Sequence, residues 1–193
     1  MYDFIQGTVI EKTPVCVTLE AGGVGYYIHI SLNTYSRVPD QGPCLLFTHQ
    51  IVREDAHLLY GFIDKSEREI FRQLISVSGI GANTARLILS SLSPADIRQA
   101  INEGDVFLLK SIKGIGAKSA QRIIVDLKGK LLKEEDLQEI FDSESNTIQE
   151  ESLSALVNLG FSKPTVEKVI RQILKEQNDL TVEGLIKEAL KRL

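Results

Sequence analysis

Apolar and polar positions alternate or cluster in five short runs between Asp3 and Phe62, over residues 3–12, 15–20, 25–30, 44–52 and 57–62. Such runs, bounded by turn residues, are the signature of strands with one face buried. The breaks between them are Thr13-Pro14, Ala21-Gly22-Gly23, Pro39-Asp40-Gln41-Gly42-Pro43 and Arg53-Glu54-Asp55-Ala56, residue types that preset or permit turn dihedrals. Five short strands predict a small five-stranded β-barrel of OB type over residues 1–64, because closure removes the exposed edges of a short open sheet.

After Asp64 the period becomes helical, with Ile70, Phe71, Leu74 and Ile75 on one stripe. Asp64 with Glu67 three positions on reads as a capping box that starts a helix. Ser93-Pro94 with Asp96 is a second start signal. Residues 65–142 are therefore expected to be all-helical, ending in the acidic stretch KEEDLQEIF and Asp142. The polar SESNT that follows has nothing to bury and reads as a flexible linker over 143–147. Three short helical patterns fill 148–193, broken at Gly160-Phe161-Ser162-Lys163-Pro164 and at Asn178-Asp179. They predict a small three-helix bundle, which makes the chain a multi-domain α+β protein.

The helical region contains a duplication. Leu74–Ser90 (LISVSGIGANTARLILS) and Leu109–Val125 (LKSIKGIGAKSAQRIIV), offset by 35 residues, are identical at 8 of 17 positions. Solenoids need about three stacked repeats to bury a core, so two copies point to a paired motif. Each copy reads helix, Gly-Ile-Gly, then a second helix from near Ala82 or Ala117. Glycine permits a sharp hairpin and the close approach of a ligand to the backbone, and the free N–H groups and dipole of the following helix attract an anion there. Ile80 and Ile115 are expected to anchor the hairpins in the core, and Ala85 and Ala120 to let the helices cross closely. Gly79, Gly81, Asn83 and Thr84 mark the first hairpin. Gly114, Gly116, Lys118 and Ser119 mark the second, with Lys110, Lys113 and Arg122 nearby and Arg86 after the first.

Other glycine-loop chemistry fails on context. A dinucleotide fold needs G-x-G-x-x-G after a strand, whereas Gly79 and Gly114 follow helical sequence. A P-loop needs a glycine before its lysine, which Gly114-Ile-Gly-Ala-Lys-Ser lacks.

Charge sharpens this picture. The 193 residues carry a net −4, but residues 1–64 have 3 Lys/Arg against 7 Asp/Glu, residues 65–132 have 11 against 6, and residues 133–193 have 8 against 13. The basic centre can attract phosphate while the acidic flanks suppress indiscriminate binding. With 43% apolar and 25% charged residues the chain has the balance of an ordinary folded protein. It holds no 18-residue apolar run, and MYDFIQGTVIEK is no signal peptide, so a cytoplasmic location without membrane contact is expected. Cys16 and Cys44 are too few for a disulfide framework and read as buried reduced thiols, and His29, His49 and His57 lack ligand spacing. No metal and no cofactor are expected.

A small barrel, paired Gly-Ile-Gly hairpins, an acidic linker and a three-helix bundle, in that order, resemble the RuvA family along the whole chain. Its most particular segments here are GGVGY at 22–26, TH-x-x-VREDA-x-LLYGF from Thr48 to Phe62, the two hairpins, and LVNLGF at 156–161. GGVGY also has a plain reading as a hairpin turn, and no binding role falls to it. The hairpins then correspond to helix-hairpin-helix motifs, which hold DNA by its backbone and leave the bases unread. The resemblance implies binding of four-way (Holliday) junction DNA by a homotetramer, with the hexameric RuvB ATPase as motor and the RuvC resolvase as a further partner, in recombination and repair. The chain itself would be non-catalytic.

The family's acidic pin would fall on Glu54 and Asp55. Four copies around an axis would bring eight carboxylates to the strand exchange point, repelling phosphates there. The C-terminal bundle, which resembles a ubiquitin-associated fold, would bind RuvB, with Leu156, Leu159, Phe161 and Leu185 as candidate contacts. Two departures stand out. The first hairpin, Gly81-Ala82-Asn83-Thr84, has no lysine where the family often has one, and Ala117 also occupies a place where lysine is common. A helix-hairpin-helix glycosylase or lyase would need a catalytic aspartate in a cleft, and Asp126 lies inside an apolar helical pattern instead. A scaffold that applies the same hairpins to ordinary duplex is the third reading.

Overall fold

A computed structural model describes residues 2–139, 144–177 and 180–193. Strands β1 (Phe4–Lys12), β2 (Cys16–Ala21), β3 (Val24–Ile30), β4 (Gly42–Val52) and β5 (His57–Phe62) close into a barrel in the order β1-β2-β3-β5-β4. All neighbours are antiparallel except β3 and β5. Val17, Leu19, Ile28, Ile30 and Leu46 fill its interior. Gly22 and Gly23, both with positive φ, form the two-residue turn between β2 and β3, the geometry that matches strand twist in a hairpin. Cys16 and Cys44 are buried and unbridged.

Between β3 and β4 lies a helix that the alternation pattern does not announce, α1 (Leu32–Arg37), capped by Ser31, whose side chain accepts from the Thr34 N–H. Helix α2 (Lys65–Ser76) starts at Asp64, whose carboxylate accepts from the Glu67 N–H as expected. The reciprocal half of the capping box does not form. Glu67 is fully buried and turns to α1, where it accepts from the hydroxyls of Ser31 and Thr34. Two fixed hydroxyl donors inside the protein displace a single exposed backbone N–H as its partner.

Helices α3 (Ala82–Ser91), α4 (Pro94–Glu103), α5 (Val106–Ser111) and α6 (Ala117–Glu139) complete the helical region. The capping box at Ser93 and Asp96 is complete. Beside the barrel's own interior, the last strand joins a second core with the helices: Phe62 of β5 packs on Phe71 of α2 at a ring separation of 4.9 Å, and Tyr60 at 5.1 Å. Arg68 fastens the chain start to α2 through the carbonyl and carboxylate of Asp3. Residues 1–132 accordingly form one compact unit, and 133–193 a second.

The second unit contains α7 (Glu144–Asn158), α8 (Lys163–Glu176) and α9 (Val182–Leu190) around Leu156, Val166, Ile170, Ile173 and Leu185. Helix α7 begins earlier than the sequence pattern indicates, so that residues 144–147 of the expected linker are helical. Once the amphipathic part nucleates a helix, each added residue gains a hydrogen bond at little further cost. Ser143, the end of the acidic stretch at 140–142, and the break at Asn178-Asp179 lie outside the described residues.

Candidate nucleic-acid interface

The two halves of the duplication have the same local geometry. Helix α2 ends at Val77 (φ −79°, ψ 124°) and α5 at Ile112 (φ −76°, ψ 125°). The residue next but one is a left-handed glycine in each, Gly79 at φ 89° and Gly114 at φ 91°. Ile80 N–H donates to the Val77 carbonyl and Ile115 N–H to the Ile112 carbonyl, both at 3.0 Å. Ile80 and Ile115 are buried in the common core, as are Ala85 and Ala120, whose lack of bulk allows the tight packing.

The second glycines differ in kind from the first. Gly81 has φ −83° and ψ 166°, a conformation open to any residue, and Gly116 also lacks a positive φ. Nothing in the chain lies within 4 Å of the place a Cβ would occupy at either position. Neither dihedrals nor packing within the chain require glycine there. Gly81 caps α3 without any side-chain hydrogen bond, which leaves the first N–H groups of that helix without a side-chain acceptor from the cap.

The cations are unequally shared. Lys110, Lys113, Lys118 and Arg122 are exposed around the second hairpin, with Ser119 half-buried beside them. Arg122 has Asp126 at 3.9 Å, one helical turn on. The first hairpin presents exposed Asn83 and half-buried Thr84. Arg86, counted among the flanking cations, instead donates to the Val15 carbonyl of the barrel at 3.0 Å. At the 35-residue offset the counterpart of Arg122 is Leu87, so the two hairpins match in backbone and differ in charge. Asp126 lies exposed on α6, which is no setting for a base-excising carboxylate.

The β4–β5 connection is a tight turn in which Arg53 N–H donates to the Ala56 carbonyl at 2.8 Å, and it holds Glu54 and Asp55 out in solvent. Two features escaped the sequence reading. Phe107 and Val125 are 86% and 77% exposed on α5 and α6, the most exposed large apolar side chains among the described residues. Periodicity alone cannot single them out, since each sits within an apolar run.

In the C-terminal unit the four candidate contacts separate. Leu156 and Leu185 are fully buried in the bundle core, because three short helices need both to close their interior. Phe161 is half-buried against that core, and Leu159 is 62% exposed. Among the described residues no group of acids, histidines and cysteines could hold a metal ion, and no helix is long and apolar enough to cross a membrane.

Three family models match the chain in sequence: the RuvA N terminal domain over residues 1–61, the SAM-like helix-hairpin-helix tandem over 71–130, and the RuvA C-terminal domain over 147–193. The chain is 53% identical over 193 residues to the Holliday junction branch migration complex subunit RuvA of Christiangramia forsetii, with the whole of both chains covered. The subunits of the same name from Flavobacterium psychrophilum and Bacteroides thetaiotaomicron are 53% and 47% identical, again over the full length of both chains. Barrel, tandem hairpins and C-terminal bundle thus agree with the matched segments in order and extent, and the chain belongs to the RuvA family.

Proposed function

We propose that this chain is the non-catalytic DNA-binding subunit of a branch migration complex, gripping four-way junction DNA and recruiting a RuvB hexamer whose ATPase drives the movement. The observation that carries the reading is the open space at Gly81 and Gly116. With no internal reason for glycine, an external one remains: a phosphate that approaches the backbone where α3 and α6 begin. Lys110, Lys118, Ser119 and Arg122 supply charge and hydrogen bonds at the second hairpin, and Asn83 and Thr84 supply polar groups at the first. Backbone contacts position DNA without reading it, so preference for a junction comes from symmetry. A homotetramer, supported by the bare apolar side chains of Phe107 and Val125, sets four acidic turns around one axis. Glu54 and Asp55 there repel phosphates and disfavour duplex running straight through the crossover.

The relatives' name, subunit of a branch migration complex, fits a protein that holds DNA for a motor and carries no nucleotide-binding loop of its own. Leu159, with Phe161 beside it, is the apolar contact offered to RuvB. RuvC resolvase meets the same junction, and the work takes place in the cytoplasm. Competition of labelled four-way DNA with unlabelled linear duplex of the same sequence tests the reading. Retention of the four-way complex under excess duplex is expected, and equal competition by duplex would overturn junction preference.

A further inference from the structure

Helix α8 turns Val166, Val169, Ile170 and Ile173 into the bundle core. On its opposite side Lys168, Arg171 and Lys175 follow one another at i, i+3 and i+7, all exposed. A charged outer face is ordinary for an amphipathic helix, but solvated faces usually mix both signs. Four of the described acids of this unit are engaged with other cations. Glu167 lies 3.8 Å from Lys163, Glu176 2.8 Å from Arg192, Glu183 2.6 Å from Lys187 and Glu188 2.9 Å from Lys191. Hydrogen bonding to Arg192 holds the Glu176 carboxyl below its ordinary range, in keeping with a formed pair. Among the described residues Lys168, Arg171 and Lys175 form no ion pair, and the net −5 of residues 133–193 conceals them.

We propose that this stripe is a second phosphate-binding surface, which docks without sequence preference on the duplex that the hairpins hold. Three features favour DNA over a protein partner. The stripe is lysine-rich and bordered by Pro164, Gln172 and the Lys163-paired Glu167, with no exposed large apolar residue on α8, whereas protein interfaces deplete lysine and centre on an apolar anchor. Among the described residues the exposed large apolar side chains of this unit, Val157, Leu159 and Leu190, belong to other segments. The three cations span about 10 Å of helix, over which one strand of B-form duplex presents about three phosphates. Being in the same chain as the hairpins, the surface gains from an intramolecular effective concentration that a separate domain would lack.

The inference rests on the hairpin reading and is separable from it. In the full-length K168E/R171E/K175E variant all three changes lie outside the core, and an unaltered thermal melt verifies the fold. The slope of log affinity against log salt for four-way DNA should flatten by about 2 to 3 for each chain engaged, with hairpin-dependent binding remaining. A photoreactive benzoylphenylalanine placed at Arg171 should cross-link to the DNA, and one at Leu159 should not. An unchanged slope without a cross-link from position 171 would overturn the proposal, as would a cross-link from 171 to the partner ATPase alone. A parent chain that fails to bind DNA would sink the hairpin reading and this inference together.

Discussion

The Thr34 hydroxyl of α1 donates to Glu67 Oε2 of α2 at 2.7 Å while accepting from the Ile63 N–H, so one buried carboxylate fastens the barrel to the first hairpin helix. Ser31 donates to the other carboxylate oxygen. Burial pushes the Glu67 carboxyl up from its ordinary value, the hydroxyls of Ser31 and Thr34 pull it down, Asp64 adds to the rise and Arg37 opposes it, and the net direction is upward.

A raised folded-state pKa means that the folded protein holds this proton more tightly than the unfolded chain. The contribution to stability is fully present below the unfolded value of about 4.3 and is lost as pH rises through the higher folded value. Glu67→Gln should therefore flatten the decline in stability of residues 1–132 over the pH range just above 4.3. Glu67→Ala, which strips two buried hydroxyls of their acceptor and leaves a void, should cost about 2–4 kcal/mol. Chemical denaturation across pH checks both, and a wild-type stability that rises with pH in that window would contradict the assignment.

Reversing the exposed pair, Glu54→Lys with Asp55→Lys, removes repulsion of phosphate without touching the barrel interior. Junction binding should be retained or tightened, and branch migration with the motor partner should slow. Gel shift and strand-displacement assays read the two separately, and wild-type migration by the double variant would remove the acidic turn from the mechanism.

Leu159 and Leu156 offer an internal control in the C-terminal unit. Leu159→Glu changes a side chain that is 62% exposed and should abolish stimulation of the partner ATPase with the bundle intact. Leu156→Glu buries a charge in the core and should unfold the bundle, while junction binding by residues 1–132, which have their own cores, survives. Circular dichroism and ATPase assays separate the cases. Full stimulation by Leu159→Glu would move the partner surface elsewhere.

The strands, the hairpins and the starts of α3 and α6 were legible because each follows from local chemistry: alternation, turn residues, and a glycine pair seen twice. What stayed hidden depends on partners distant in sequence. Glu67 follows the capping pattern after Asp64, yet hydroxyls 33 and 36 positions earlier claim its side chain. Helix α1, with six residues, is too short for a periodic signal and rests on Ser31 and that same carboxylate. Arg86 sits close to the first hairpin along the chain but points to Val15. Leu156 and Leu159 look alike in sequence, and their fates divide because α7 ends at Asn158 and Gly160 turns the chain at φ 103°.

Anchoring of the hairpins can be separated from contact with DNA. Ile115→Ala should cost about 2–5 kcal/mol, as deletion of a buried aliphatic side chain does, and weaken DNA binding through a loosened hairpin. A melting temperature equal to that of the parent would contradict the anchor role.

The central claim, that the second glycine of each hairpin makes room for a DNA phosphate, is tested most directly by Gly81→Leu with Gly116→Leu. Gly79 and Gly114 are unsuitable, since a side chain at their positive φ costs about 1–2 kcal/mol by itself. At Gly81 and Gly116 the backbone accepts a side chain and the space is open, so the double variant should stay folded, its melting temperature lowered only by the modest preference of a helix N-cap for glycine over leucine. Affinity for four-way DNA should fall tenfold to a hundredfold, roughly the loss of one charge-assisted hydrogen bond of about 1.5–3 kcal/mol. A folded double variant that binds the junction as tightly as the parent would contradict the account.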